Sequence, residues 1–293
     1  MASIGSAGKR NQAKQYIPKA THLGSAYRAL PKVFLSNVHA AFAHTASRAM
    51  LNCMTRRRWI ADTSTGTTAS LLGDQAAHLA RVLRAEPGQI FDVVTNGCLH
   101  RAEIISVSEN EVVLTLHEEL EADAALPVHL LLAVFKFDHL EWGIEKATEL
   151  GAARITPVLA RRTEKHLAQA ALKRVERWRR IVREASQQSR RSDVPDVDDP
   201  CTLAAALKRI TAPTKILLAE TEQQNTLPAA LAARSDEHQD QPIALAIGPE
   251  GGWTPEEMQT FSEHGWQHVT LGPRILRAET AAIAALSICS ALL

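Results

Sequence analysis

The sequence predicts an α/β protein: a mostly parallel sheet in the C-terminal part, preceded by a small β-barrel. Three observations point there. Short unbroken apolar runs, "VHLLLAVF" (128–135), "KILLA" (215–219) and "IALAI" (243–247), have the composition of strands covered on both faces. Amphipathic helical stretches separate them, as parallel βαβ units require. Residues 56–120 instead carry short β segments around Asn96-Gly97, a hairpin signal because both residues tolerate φ > 0.

Taken in order, the chain opens on a segment without a fold signal. Residues 1–58 hold ten of the 33 Lys/Arg and none of the 32 Asp/Glu, which leaves a net of −9 on the rest. Residues 1–53 are expected to be an unstructured or non-native extension. A basic arm, an organelle transit peptide and a misplaced start codon all suit its composition. Met54 with "TRRRWIADT" resembles a natural beginning, which favours the last. The segment 54–124 reads as the barrel, with strands in "RRRWIAD", "QIFDVV", "RAEIISV" and "EVVLTLHEEL". Its one helix, in "GDQAAHLARVLRAEPGQ", is expected to be capped by Asp74, with Leu79, Val82 and Leu83 on one face.

"EADAALP" (121–127) reads as a linker into the α/β part, 125–293. There "DHLEWGIEKATELGA" is a helix expected to start on Asp138 with Glu141 completing a capping box, and to end at Gly151. "ARITPVL" (153–159) is the next strand. Leu167, Ala171, Val175, Trp178, Val182 and Ala185 recur every three or four residues and predict a long amphipathic helix. "KILLA", "IALAI" and "HVTL" (268–271) supply three more strands, and residues 278–292 a final helix.

Composition excludes several classes. With 45% apolar and 22% charged residues and a net charge of +1, this is no uniformly basic nucleic-acid binder, so any such role needs a local patch. Arg161 to Arg191 offers one, with eleven Lys/Arg against three Glu. The longest apolar stretch, 281–293, is too short to span a bilayer, and no membrane partner is expected. Cysteines at 53, 98, 201 and 289 form no CxxC, the histidines form no ligand-spaced cluster, and no metal site is expected. Neither GxxxxGK[ST] nor GxGxxG is present.

The chemistry concentrates at three strand ends. "KILLA" runs into "ETEQQ", "IALAI" into "GPEGGW", and "HVTL" into "GPRILRAETAA". Ligands on parallel sheets gather at the carboxyl ends of strands. Thr254, Pro255 and Glu257 predict a helix N-terminus directly after the second loop. Bare main chain from several loops can enclose a flat heterocycle, and the acids Glu220 and Glu250 suit a cationic one. S-adenosylmethionine fits that electrostatic description, although composition alone does not choose it.

Four motifs, "KATELGAARITPVLARR", "REASQQSRRSDVP", "IGPEGGWTPEE" and "LGPRILRAETAAIAAL", resemble the RsmE family of SPOUT-class RNA methyltransferases in order and spacing. "AHLARVLRAEPGQ" is similar to that family's N-terminal PUA-like barrel. The resemblance spans about residues 55–292 and implies a homodimer with a C-terminal trefoil knot. It also implies methylation, from S-adenosylmethionine, of the position-three ring nitrogen of a uridine in 16S ribosomal RNA, free or in the assembled small subunit. A cytoplasmic location follows, or an organelle if the extension is a transit peptide. Mapped onto this chain, the cofactor walls are Gly248, Pro249, Glu250, Gly251 and Gly252; Leu271, Gly272, Ile275 and Leu276; and Leu218, Ala219 and Glu220. Arg277 is expected to face charge developing on the base, with Glu279 orienting it or assisting proton removal, unless the two form a structural ion pair. Arg56, Arg57, Arg58, Arg81, Arg84, Lys136, Arg162 and Arg191 are the phosphate-contact candidates, and Trp253 either stacks on the base or packs in the core. The chain departs from the family pattern in two places. "FDHLEW" places His139 where relatives often have arginine, and the residue before Arg162 is Arg161 where an acid is common. The rival readings are an RNA-binding or assembly factor without turnover and a sibling SPOUT enzyme acting on another RNA.

Overall fold

The structure, a computed structural model, describes residues 58–293. The expected extension 1–53, and the candidates Arg56 and Arg57, lie outside the described residues.

The first sheet contains β1 (Trp59–Ile60), β2 (Thr63–Ser64), β3 (Thr68–Leu72), β4 (Ile90–Thr95), β5 (Cys98–Val107) and β6 (Glu111–Leu120), ordered β1-β4-β5-β6-β3-β2. Only Ala61 and Asp62 separate its two edge strands, so the sheet must curl to bring its edges together. Ala61 N–H donates to Val94 O and Asp62 N–H to Ser70 O, both at 2.9 Å, which ties that corner to both sides. Leu71, Val93, Ala102, Ile104, Val112 and Leu114 fill the interior. Asn96 (φ 53°) and Gly97 (φ 81°) turn β4 into β5, as the sequence predicts.

The barrel helix differs from expectation. α1 (Gly73–Ala77) continues as a π-helical turn, His78–Val82. Its N-cap is Leu72, without a side-chain bond, and Asp74 lies in the first turn, where its charge favours the helix dipole. Leu79 is buried, but Val82 and Leu83 are 65% and 49% exposed. The wider turn rotates them off the 3.6-residue stripe.

The second sheet contains β7 (Leu126–Ala133), β8 (Ala152–Leu159), β9 (Asp196–Val197), β10 (Cys201–Thr202), β11 (Thr214–Leu218), β12 (Ile243–Ile247) and β13 (Gln267–Val269). Its order is β10-β8-β7-β12-β11-β13, with β9 on β8, and every pairing is parallel. β7 begins inside the expected linker. β13 stops at Val269, because the Thr270 N–H goes to Asn225 O instead of the ladder.

Helices α2 (Phe137–Glu149), α3 (Lys165–Ala171), α4 (Val175–Gln188), α6 (Leu227–Ala232) and α8 (Ala278–Leu292) cover one face; α5 (Leu203–Arg209) and α7 (Pro255–Glu263) cover the other. In β12, Ile243, Leu245 and Ile247 point to the first layer, while Ala244 and Ala246 leave room for Phe261 and Trp266 in the second. Fully burying each such branched side chain contributes about 1.5–3 kcal/mol. The six-residue stripe from Leu167 to Ala185 is buried as predicted, although a 3₁₀ turn, Leu172–Arg174, divides the helix.

α2 begins one residue before the expected cap. Lys136 occupies the N-cap, and Asp138 sits in the first turn without capping. Glu141 forms no capping box; it accepts from Arg174 Nη1 (3.2 Å) and Arg177 Nε (2.8 Å) and so ties α2 to α4. The capping box at α7 is present: Thr254 N–H donates to Glu257 Oε2 (2.9 Å) and Glu257 N–H to Thr254 Oγ1 (3.3 Å).

α4 also makes the joint with the barrel. Arg183 Nη2 donates to Ile60 O (2.8 Å) and Asp62 Oδ1 (2.7 Å), Gln187 Nε2 to Gln75 Oε1 (2.6 Å), and Arg58 N–H to Gln187 O (3.0 Å). The "REASQQSRR" stretch is therefore an internal seam.

Candidate active site

Parallel strands place the loops after β11, β12 and β13 at one sheet edge, where they enclose a cleft of about 1070 Å³. That volume suits a nucleoside-sized ligand. The first loop is wound around Glu222, whose Oε1 accepts N–H groups of Gln223 (3.0 Å), Gln224 (2.8 Å) and Asn225 (3.0 Å). These bonds, that of Asn225 foremost, hold its carboxyl below the usual carboxylate range. Asn225 Nδ2 donates to His268 O (2.8 Å), which braces the loop against β13.

In the second loop Gly252 N–H donates to Pro249 O (2.8 Å), closing a turn with Gly252 at φ 70°. Arg162 Nη1 reaches across to Gly251 O and holds the turn from outside. Gly248 gives way to an indole: a Cβ there would lie 3.1 Å from Trp253 Nε1. In the third loop, Thr270 Oγ1 accepts from Gly272 N–H (3.1 Å), and the chain then presents Ile275, 79% exposed, before α8 begins.

All twelve expected cofactor residues line this cleft: Leu218, Ala219, Glu220, Gly248, Pro249, Glu250, Gly251, Gly252, Leu271, Gly272, Ile275 and Leu276. Arg277 lines it too, at the N-cap of α8, without a side-chain bond or ion pair among the described residues. Lys136 and Arg162 stand along it, both exposed. Glu220 and Glu250 have no ion-pair partner among the described residues and so can each face a cationic group, while Lys136, Arg162, Arg274 and Arg277 line the same cleft and suit a polyanion. The residues present thus fit a flat, positively charged nucleoside.

Several expectations need correction. Glu279 neither lines the cleft nor pairs with Arg277; its Oε1 lies 3.0 Å from Nδ1 of His139. Residues two apart on a helix do not face each other, so the third element, α2, supplies the partner. Arg191 is buried, with Nη1 donating to Thr148 O (2.7 Å) and Ala152 O (3.0 Å) and Nε to Asp193 Oδ1 (3.1 Å), leaving nothing for a phosphate. The Arg58 guanidinium donates to Arg190 O inside the seam. Arg81 is exposed but paired with Glu109, and Arg84 is exposed with φ 49°. Within the basic stretch, Arg174, Arg177, Arg179 and Arg183 all pair with acids, so it is not a free cationic face. Trp253 is a core residue, edge-on to Phe261 with ring centroids 4.9 Å apart.

His139, Arg274 and Thr226 also line the cleft and were not among the expected site residues. Of these only His139 left a signal, as a departure from the family pattern.

A model of the RNA methyltransferase domain family matches residues 122–290, and one of the RNA methyltransferase PUA domain matches residues 71–116. The chain is 35% identical over 229 residues to the ribosomal RNA small subunit methyltransferase E of Bacillus subtilis, with 76% of this chain and 90% of that one covered. It is 36% identical over 228 residues to the protein of the same name from Synechocystis sp., covering 77% and 74%. Among solved structures, the ribosomal RNA small subunit methyltransferase E of Neisseria gonorrhoeae, bound to S-adenosyl methionine, is similar with a TM-score of 0.69 at 29% identity, covering 82% of this chain and 98% of that one.

Proposed function

The chain belongs to the ribosomal RNA small subunit methyltransferase E family, and on that premise we propose that it methylates the position-three ring nitrogen of one uridine in 16S ribosomal RNA. The single observation that carries this reading is the convergence of three strand-end loops on one main-chain-walled cleft beside a free arginine.

The three loops would hold S-adenosylmethionine, with Glu220 and Glu250 balancing its positive charge. That molecule supplies a methyl group activated by a cationic sulfur. Arg277 stabilises negative charge gathering on the carbonyl oxygens of the base as its imide proton leaves. Positioning contributes much of the acceleration, because donor and acceptor must meet nearly in line. Arg162 does two things: it braces Gly251 and adds a cation beside the RNA path. Lys136 and Arg84 contact phosphates, with the 54–124 segment acting as the RNA-docking domain and 125–293 as the catalytic one. Splaying the uridine from its stack costs about a few kcal/mol.

A trefoil knot forms where residues 225–227 embrace the chain leaving β13. The bonds Thr270 N–H to Asn225 O (2.8 Å) and Leu227 N–H to Thr270 O (3.0 Å) support this. A second copy covers the exposed Trp142 of α2 and Leu292 of α8, making the protein a homodimer. Its work lies in the cytoplasm, on ribosomal RNA or the assembled small subunit.

The test is reconstitution. Purified protein, S-adenosylmethionine and unmethylated small subunits or their RNA should yield 3-methyluridine at one position by mass spectrometry. Donor binding by calorimetry with no product on either substrate would favour a factor without turnover.

A further inference from the structure

His139 stands in the first turn of α2, lines the cleft and meets Glu279 of α8. The two helices approach closely there: a Cβ on Gly143 would lie 3.6 Å from Glu279 Cβ. Glu279 is 2% exposed, and its Oε2 has no hydrogen-bond partner. Among the described residues the imidazole is thus the one side-chain partner of this buried carboxylate. A carboxylate accepts and does not donate, so Nδ1 carries the hydrogen, and in the neutral imidazole Nε2 keeps its lone pair. Nε2 is the other nitrogen of a ring that lines the cleft. Its nearest charged neighbour, Asp138 Oδ2, is 3.8 Å away, beyond hydrogen-bond reach.

We propose that His139 Nε2, oriented by Glu279, accepts the imide proton of the target uridine, an assignment that rests on the methyltransferase reading above. The arginines along the cleft, Arg162, Arg274 and Arg277, cannot take the proton; the carboxylates Glu220, Glu222 and Glu250 line it too, and His139 differs from them in having a buried carboxylate behind it to take up the positive charge it would gain. As the N3–H bond breaks, its proton passes to Nε2 and the freed nitrogen pair forms the bond to the methyl carbon. The methyl–sulfur pair stays on the departing sulfur. One positive charge leaves sulfur, and one appears on the imidazolium, where the Glu279 carboxylate faces it. Water takes the proton once the product has left. The carboxylate-imidazole pair does here what it does wherever a histidine acts as base: it fixes the tautomer and stabilises the cation.

The substitution His139→Gln tests this, because its amide still donates to Glu279 but cannot take a proton. Single-turnover methyl transfer should slow about 10²–10⁴-fold, with donor affinity by calorimetry unchanged and partial rescue by added imidazole. Nitrogen-15 NMR of the wild-type protein should show His139 hydrogenated on Nδ1, a readout independent of turnover and of the variant's folding. A His139→Gln rate close to wild type, absence of imidazole rescue, or an Nε2–H tautomer in the free protein overturns the assignment. A wild-type protein that binds no donor and methylates no RNA overturns the methyltransferase reading itself.

Discussion

Acidification should destabilise this protein through one histidine inside the sheet. His129 lies on β7, opposite Arg154 of β8, with Nε2 2.7 Å from Thr156 Oγ1. Thr156 in turn donates its hydroxyl to Asp198, so the threonine oxygen accepts and His129 must be the neutral Nε2–H donor. Arg154 donates to the same carboxylate from Nε (3.0 Å) and Nη2 (2.6 Å). Burial first, and the Arg154 charge second, push the His129 pKa down from 6.5 to about 4, while Asp198 pulls weakly the other way. The unfolded chain therefore binds a proton that the folded one refuses between those two values. This contribution to stability is fully present above about pH 6.5, is lost as pH falls toward 4, and levels off below. The whole displacement corresponds to about 3 kcal/mol, most of it lost by roughly pH 4.5. Asp198, also held below its usual value despite burial, loses its contribution only at lower pH, which keeps the two windows apart. Urea unfolding followed by tryptophan fluorescence from pH 7.5 to 4.5, on wild type and His129→Gln, isolates the term. The glutamine amide can still donate to Thr156 but does not titrate. The stability difference between the two should shift by about 2 kcal/mol across the window in the variant's favour. A difference that stays flat with pH would refute the reasoning.

Three further perturbations probe the site and its frame. Arg277→Ala should lower the transfer rate about 10²–10³-fold with donor affinity nearly unchanged; single-turnover kinetics and calorimetry together check it, and an unchanged rate removes its role. Gly248→Ala forces a methyl to within 3.1–3.4 Å of three Trp253 ring atoms, and the ring is backed by Phe261. A melting experiment should show a loss of about 1–3 kcal/mol, together with weaker donor binding because the cleft wall moves. Arg183→Ala removes one of the two side chains that donate to both Ile60 O and Asp62, leaving Gln75 Nε2, and should cost about 1–2 kcal/mol, with faster proteolysis of the barrel as the accessible readout.

Much of the frame was legible because it is written in short windows. The run "IALAI" is β12 residue for residue, Thr254 and Glu257 form the capping box they promised, and Asn96-Gly97 adopts the positive φ angles its side chains permit. The cleft walls were legible for the same reason: Gly and Pro end strands wherever they occur, and parallel strands put all their ends on one edge. Failures came where geometry depends on helix phase. A single π-helical turn exposed Val82 and Leu83. Placing the N-cap of α2 on Lys136 instead of Asp138 released Glu141 from capping, and Arg174 and Arg177 claimed it.

The sequence by itself determined the strands written as apolar runs, the loops that follow β11, β12 and β13 and the kinds of residue those loops deliver, since each depends on neighbours a few positions away; β2, β3, β9 and β10 were not among the expected strands. Only the tertiary structure decided the partners. Glu279 holds His139 across 140 residues of chain, and Arg191 is spent on the carbonyls of Thr148 and Ala152. Such pairings follow from how closely two helices pack and how each is rotated, quantities set by the whole core at once.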